Sequence, residues 1–134
     1  MIRRLPLGLP AALILAACAH APALAGRWAP QSAELGGRAF PVSNFAGADL
    51  QLTANTYEFA GDKGTYALVT RRPPAQMDIH GREGPNAGRT ILAIFAMARD
   101  QLTVCYQLGP GDRPREFASA GGPQLLLVHY RRVP

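Results

Sequence analysis

The fold is decided by Met77–Phe117, which reads M-D-I-H (77–80), G-R-E-G-P-N-A-G-R (81–89), T-I-L-A-I-F-A-M (90–97), A-R-D-Q (98–101), L-T-V-C-Y-Q-L (102–108) and G-P-G-D-R-P-R-E-F (109–117). Met77 and Ile79 fall on one side of an extended chain and Asp78 and His80 on the other, the period-two pattern of a half-buried strand. Gly81 to Arg89 holds three glycines and Pro85 and reads as a loop. Thr90 to Met97 is apolar almost throughout and of strand length, so it is expected to be a central strand. Arg99-Asp100 turns the chain, after which Leu102, Val104 and Tyr106 alternate with Thr103, Cys105 and Gln107. The segment is an apolar hairpin with a short strand before it and an Arg-Pro loop after it.

The same alternation extends outward. Ala48–Thr53 and Thr56–Phe59 read as strands, Gly61-Asp62-Lys63-Gly64 as a hairpin turn, and Thr65–Thr70 as its return strand with Tyr66 and Leu68 on one face. Pro73-Pro74 cannot donate to a ladder and ends that strand. Upstream, Gly26-Arg27-Trp28 begins the domain, Gly36-Gly37 marks a turn, and Ser43–Gly47 suits one loose helical turn. Downstream, Phe117 and Ala118 are expected to dock back on the sheet and Gln124–Val133 to form the last strand. About eight strands at roughly ten-residue spacing predict an all-β, antiparallel up-and-down barrel or closed sandwich, whose interior is filled or holds one small ligand.

The N-terminus carries a different message. Met1-Ile2-Arg3-Arg4 is basic, and the apolar run Leu5–Ala17 is too short to span a bilayer, as in a secretory signal. Leu15-Ala16-Ala17-Cys18 resembles a bacterial lipobox. That resemblance implies a signal peptide over residues 1–17, lipid attachment at Cys18, and a short tether to residue 25 ahead of one domain over 26–134. Ala19 after the cysteine implies an outer-membrane lipoprotein facing the periplasm. Ordinary cleavage after Ala25 is the alternative, because Ala23-Leu24-Ala25 fits the small-x-small rule. It would leave a soluble periplasmic or secreted protein. With Cys18 lipidated, Cys105 has no intrachain partner and reads as a small buried hydrophobe.

The net charge is +5, or +3 once Arg3 and Arg4 leave with the signal. The thirteen arginines and one lysine are scattered, so no nucleic-acid footprint is legible, and a monomer is expected. Candidate site residues are few. Asp78 and His80, two apart on one strand face, suit an acid–base or metal pair or simply a polar outer surface. Arg113 and Glu116 could take an anion or substrate on a loop. The plainer reading pairs Arg113 with a carboxylate, stiffens the turn with Pro114 and anchors the loop with Phe117. His80, Cys105 and His129 have no ligand-like spacing, so no metal and no cofactor is expected. No catalytic order is legible and no enzyme is expected.

From Gly26 to Val133 the chain resembles a bacterial family of small secreted or lipid-anchored domains, loosely lipocalin-like. The residues that carry the likeness are G-x-W (26–28), Gly61-Asp62, M-D-I (77–79), G-R-T-I-L-A-I-F (88–95), D-Q-L-T-V-C-Y (100–106), R-P-x-x-F (113–117) and the Leu-rich last strand ending in Arg. Where that family often has glycine before the aspartate, this chain has Arg99. The resemblance implies a barrel with Trp28 plugging one end and Arg131 or Arg132 stacked on it. It implies no activity. The expected role is binding of a small hydrophobic or amphipathic ligand in the cell envelope, the alternative a structural or protein-interaction module with a filled core, and the third an enzyme using Asp78, His80 or Arg113. An apolar interior of at least about 300 Å³ would favour the first.

Overall fold

The computed structural model describes residues 23–134. The expected signal peptide, the lipid-attachment residue Cys18 and the tether up to residue 22 lie outside the described residues. The strands are β1 (Gly26–Leu35), β2 (Arg38–Ala39), β3 (Leu50–Leu52), β4 (Thr56–Phe59), β5 (Asp62–Thr70), β6 (Ala75–Glu83), β7 (Thr90–Ala98), β8 (Gln101–Gln107) and β9 (Leu125–Arg132). A 3₁₀ turn, Val42–Phe45, lies between β2 and β3. Every pairing is antiparallel, in the order β1-β3-β4-β5-β6-β7-β8-β9, and β9 pairs back onto β1. The result is a closed eight-stranded up-and-down barrel, with the two-residue β2 as a ninth strand on the end of β1. Closure removes the unpaired sheet edges that an open eight-stranded sheet would expose.

The alternation places one large residue per pleat inside: Trp28, Leu50, Leu52, Tyr57, Tyr66, Met77, Ile79, Ile91, Ala93, Phe95, Leu102, Val104, Val128 and Tyr130 are all buried. The near-continuous apolar run of β7 has a separate cause. Ile91, Ala93 and Phe95 face the barrel interior, while Ile94 joins Cys105 and Leu127 in a second buried cluster on the outer face. These three are neighbours across β7, β8 and β9. The loop 108–124 folds down over them, so this part of the wall is buried on both sides and loses its polar alternation.

Three local expectations are corrected and one is qualified. The β4–β5 turn is Ala60-Gly61, because Phe59 pairs with Asp62; both turn residues have positive φ, and Asp62 belongs to the strand. Leu68 keeps the face of Tyr66, pairing with Met77 as Tyr66 pairs with Ile79, but it is 40 % exposed near the end of its strand. Phe117 does not anchor its loop: it is 36 % exposed, and Pro114 and Ser119 are the buried residues there. Residues 23–25 are not a free tether, since Leu24 packs on the core and its carbonyl accepts the Trp28 indole N–H at 2.9 Å.

Candidate functional site

The barrel has two ends. At one, Trp28 is fully buried across the lumen and the Arg132 guanidinium lies 4.2 Å from its ring centre. Trp28 and Arg132 are register partners, so the stacking follows from β1–β9 pairing, as expected. Arg132 also donates to the carbonyls of Ala23 at 2.7 Å and Ala25 at 3.0 Å, which ties the incoming chain to the plug. This end is shut.

The other end carries the 3₁₀ turn, the Ala60-Gly61 turn and the loops after β6 and β8. A cavity of about 180 Å³ lies inside it. All four tyrosines of the chain, Tyr57, Tyr66, Tyr106 and Tyr130, contribute to its wall, together with aliphatic residues of β3, β6, β7 and β8. Phe45 from the 3₁₀ turn stands at its rim, its ring 5.3 Å from Phe59 and edge-on to it. Asp62 is the one charged lining residue. Its position follows from register, because it pairs with Phe59 and so shares the face that Phe59 turns to the cavity. The Tyr57 hydroxyl donates to Asp62 Oδ1 at 3.2 Å, and Asn86 Nδ2 to Oδ2 at 2.7 Å. Deeper in, the Tyr106 and Tyr130 hydroxyls bond each other at 2.8 Å.

The electrostatics follow from burial. Desolvation pushes the Tyr57 hydroxyl up to about 12, helped by the repulsion a phenolate would feel from Asp62 and by the hydrogen bond to it. Burial likewise lifts Tyr106 to about 12 and raises Tyr130 well above its ordinary value. All three are neutral hydrogen-bonding groups at physiological pH. No proton-transfer role is apparent in groups held so far from neutrality.

The residues singled out in the sequence lie on the outer wall. Arg113 and Asp78 do come together: one guanidinium nitrogen pairs with Asp78 Oδ1, and the other donates to the carbonyls of Met77 and Ala93 at 2.9 Å each. The guanidinium is thereby occupied in fastening the loop 108–124 to β6 and β7. Ser119 completes the fastening, accepting from the Gly37 N–H at 2.9 Å and donating to Glu34 at 3.4 Å. Cys105 is buried beneath this strap, its thiol donating to the Ala118 carbonyl at 3.5 Å and raised in pKa by burial. Glu116 is exposed and joins neither bond. His80 and His129 are exposed on the outer surface, each against a threonine hydroxyl, Thr90 at 3.1 Å and Thr103 at 3.2 Å. Among the described residues no group of three His, Cys, Asp or Glu is placed to hold a metal ion. Asp62, Asn86 and the tyrosines were missed as a site. The signal was present in the shared face of Phe59 and Asp62, but it could be read only with the turn placed two residues earlier.

A scan against protein-family models gave no match, and neither the curated proteins nor the solved structures gave one, so the barrel and its two unequal ends stand on their own geometry.

Proposed function

We propose that this is an exported, lipid-anchored barrel that binds a small hydrophobic or amphipathic molecule in its open end. The observation that carries the reading is the cavity: apolar walls, one opening and a few converging polar groups are the usual make-up of a ligand site. Its size narrows the reading. At about 180 Å³ it falls short of the roughly 300 Å³ expected of a carrier for drug-sized ligands, and is nearer the roughly 150 Å³ engineered cavity that takes up benzene. The ligand is therefore a small molecule, or one end of a larger one.

The plugged end supports the anchor. Removing residues 23–25 by cleavage after Ala25 would strip the acceptors of the Trp28 indole and the Arg132 guanidinium, whereas cleavage before Cys18 keeps them. With the lipid on Cys18 the chain would enter the barrel at its shut end and leave the mouth facing away from the membrane. The likeness to secreted and lipid-anchored bacterial domains agrees with this placement.

Native mass spectrometry of the protein purified from its own envelope tests both parts. A diacylated Cys18 and a non-covalent adduct small enough for the cavity are expected. A free N-terminus at Gly26 overturns the anchor. Absence of any adduct, together with failure to bind an environment-sensitive apolar dye, overturns the ligand role and favours an interaction module.

A further inference from the structure

The aspartates of this chain are treated unequally. Asp49 pairs with Arg27 at 3.1 Å, Asp78 with Arg113, and Asp100 with Arg132 at 3.9 Å. Asp112 is exposed on its loop. Asp62 alone faces the cavity, and among the described residues it forms no ion pair. Its partners, Tyr57 and Asn86, are neutral donors and fill two of the roughly four acceptor positions of a carboxylate. The neighbouring cations are engaged elsewhere. Lys63 is exposed and lies 3.7 Å from Glu58. Arg89 stands behind Asn86, donating to its amide oxygen at 3.5 Å and to the Leu108 carbonyl at 2.6 Å, and is not part of the cavity wall. A half-buried carboxylate beside apolar walls lacks a counter-charge, and Phe45, Phe59 and Tyr57 line the same cavity, where aromatic rings can add to the attraction of a cation.

From this we infer that the cavity selects small organic cations: a primary or quaternary amine, its ammonium on Asp62 at the mouth and an apolar group of about six carbons inside. The inference rests on the reading of the cavity as a ligand site and gives it a chemical class. Fatty-acid anions are disfavoured, since their carboxylate would meet Asp62.

Three ligands of equal chain length separate the possibilities: n-hexylamine, 1-hexanol and hexanoate, titrated into the purified mature protein by calorimetry or by displacement of the apolar dye. Hexylamine is expected to bind tighter than hexanol by about tenfold or more, and hexanoate weakest. Asp62→Asn should remove the preference for the amine. The wild-type series decides the matter even if that variant does not fold. Equal binding of amine and alcohol, or a preference for hexanoate, overturns the cation assignment while leaving the ligand site standing. Absence of binding by all three and by the dye overturns both.

Discussion

The two ends of this barrel are built from the same alternating strands and come out opposite. The shut end is filled by one large side chain whose every polar demand is met: the indole N–H by Leu24, the ring face by Arg132, and Arg132 in turn by backbone carbonyls. The open end gathers four tyrosines and Asp62 around space. The longest loop on that side, 108–124, could have served as a lid. It runs instead down the outer wall, drawn there by Ile94, Cys105 and Leu127 and fastened through Arg113 and Ser119. The contrast suggests that packing at the shut end carries stability, and that the mouth holds polar groups and a void that packing alone would have eliminated.

Truncation should separate the ends most strongly. Trp28→Ala is expected to cost about 3–5 kcal/mol, because the residue is fully enclosed and its neighbours cannot collapse into so large a gap. Leu126→Ala, at a half-buried residue beside the cavity, is expected to cost about 2 kcal/mol or less, since it has fewer contacts to lose. Urea denaturation followed by circular dichroism measures both. Equal costs would show that the mouth is as tightly packed as the plug.

Alkali should act through the open end. The folded-state pKa values of Tyr57 and Tyr106 stand near 12, above the ordinary 10.0. A raised pKa means that the folded state holds its proton longer than the unfolded one. The stability it represents is complete below pH 10 and is lost as pH rises towards 12. A two-unit shift is on the order of 3 kcal/mol. The urea midpoint should therefore fall through this window, together with the rise of tyrosinate absorbance. Tyr57→Phe should flatten part of the fall. A midpoint independent of pH from about 10 to 12 would mean that the tyrosines are not enclosed as described.

The strap predicts a middle-sized effect. Arg113→Ala removes three hydrogen bonds and leaves Asp78 without its partner, but both side chains are partly solvated, at 19 % and 29 %. The expected loss is about 2 kcal/mol. A second readout is local: in a Cys18→Ser background Cys105 is the sole thiol, and its reaction with a disulfide reagent should quicken when the strap loosens. Unchanged reactivity would place the grip on the loop in Pro114 and Ser119.

Much of this was legible in the sequence, for identifiable reasons. Period-two alternation at short spacing forces half-buried antiparallel strands, and about eight of them close. Trp28 as plug, with Arg131 or Arg132 stacked on it, was what the lipocalin-like resemblance implied, and the stacked residue is Arg132. The cavity was not legible, because a void is a sum over side chains from seven strands, a turn and two loops. Asp62 was hidden because the turn was read over residues 61–64, which left it outside the strand that in fact begins with it. The strap was half legible: Arg113 was expected to find a carboxylate, but Ser119 meets Gly37 across 82 residues of sequence, and no local pattern marks such a contact.

The smallest effect lies in the turns at the two ends. Arg99 at the shut end and Ala60 at the mouth both hold positive φ, at 55° and 50°, where a side chain is strained. Relief of that strain on changing either to glycine is partly offset by the greater freedom glycine has in the unfolded chain. The expected gain is about 0.5 kcal/mol at each site. The thermal shift of Arg99→Gly should leave ligand binding untouched, since the turn lies across the barrel from the cavity. Ala60→Gly should give the same thermal gain but weaken binding at the mouth, because a Gly-Gly turn holds Phe59 and Asp62 less firmly in register. If Arg99→Gly altered binding as much as Ala60→Gly did, the two ends would be coupled through the wall.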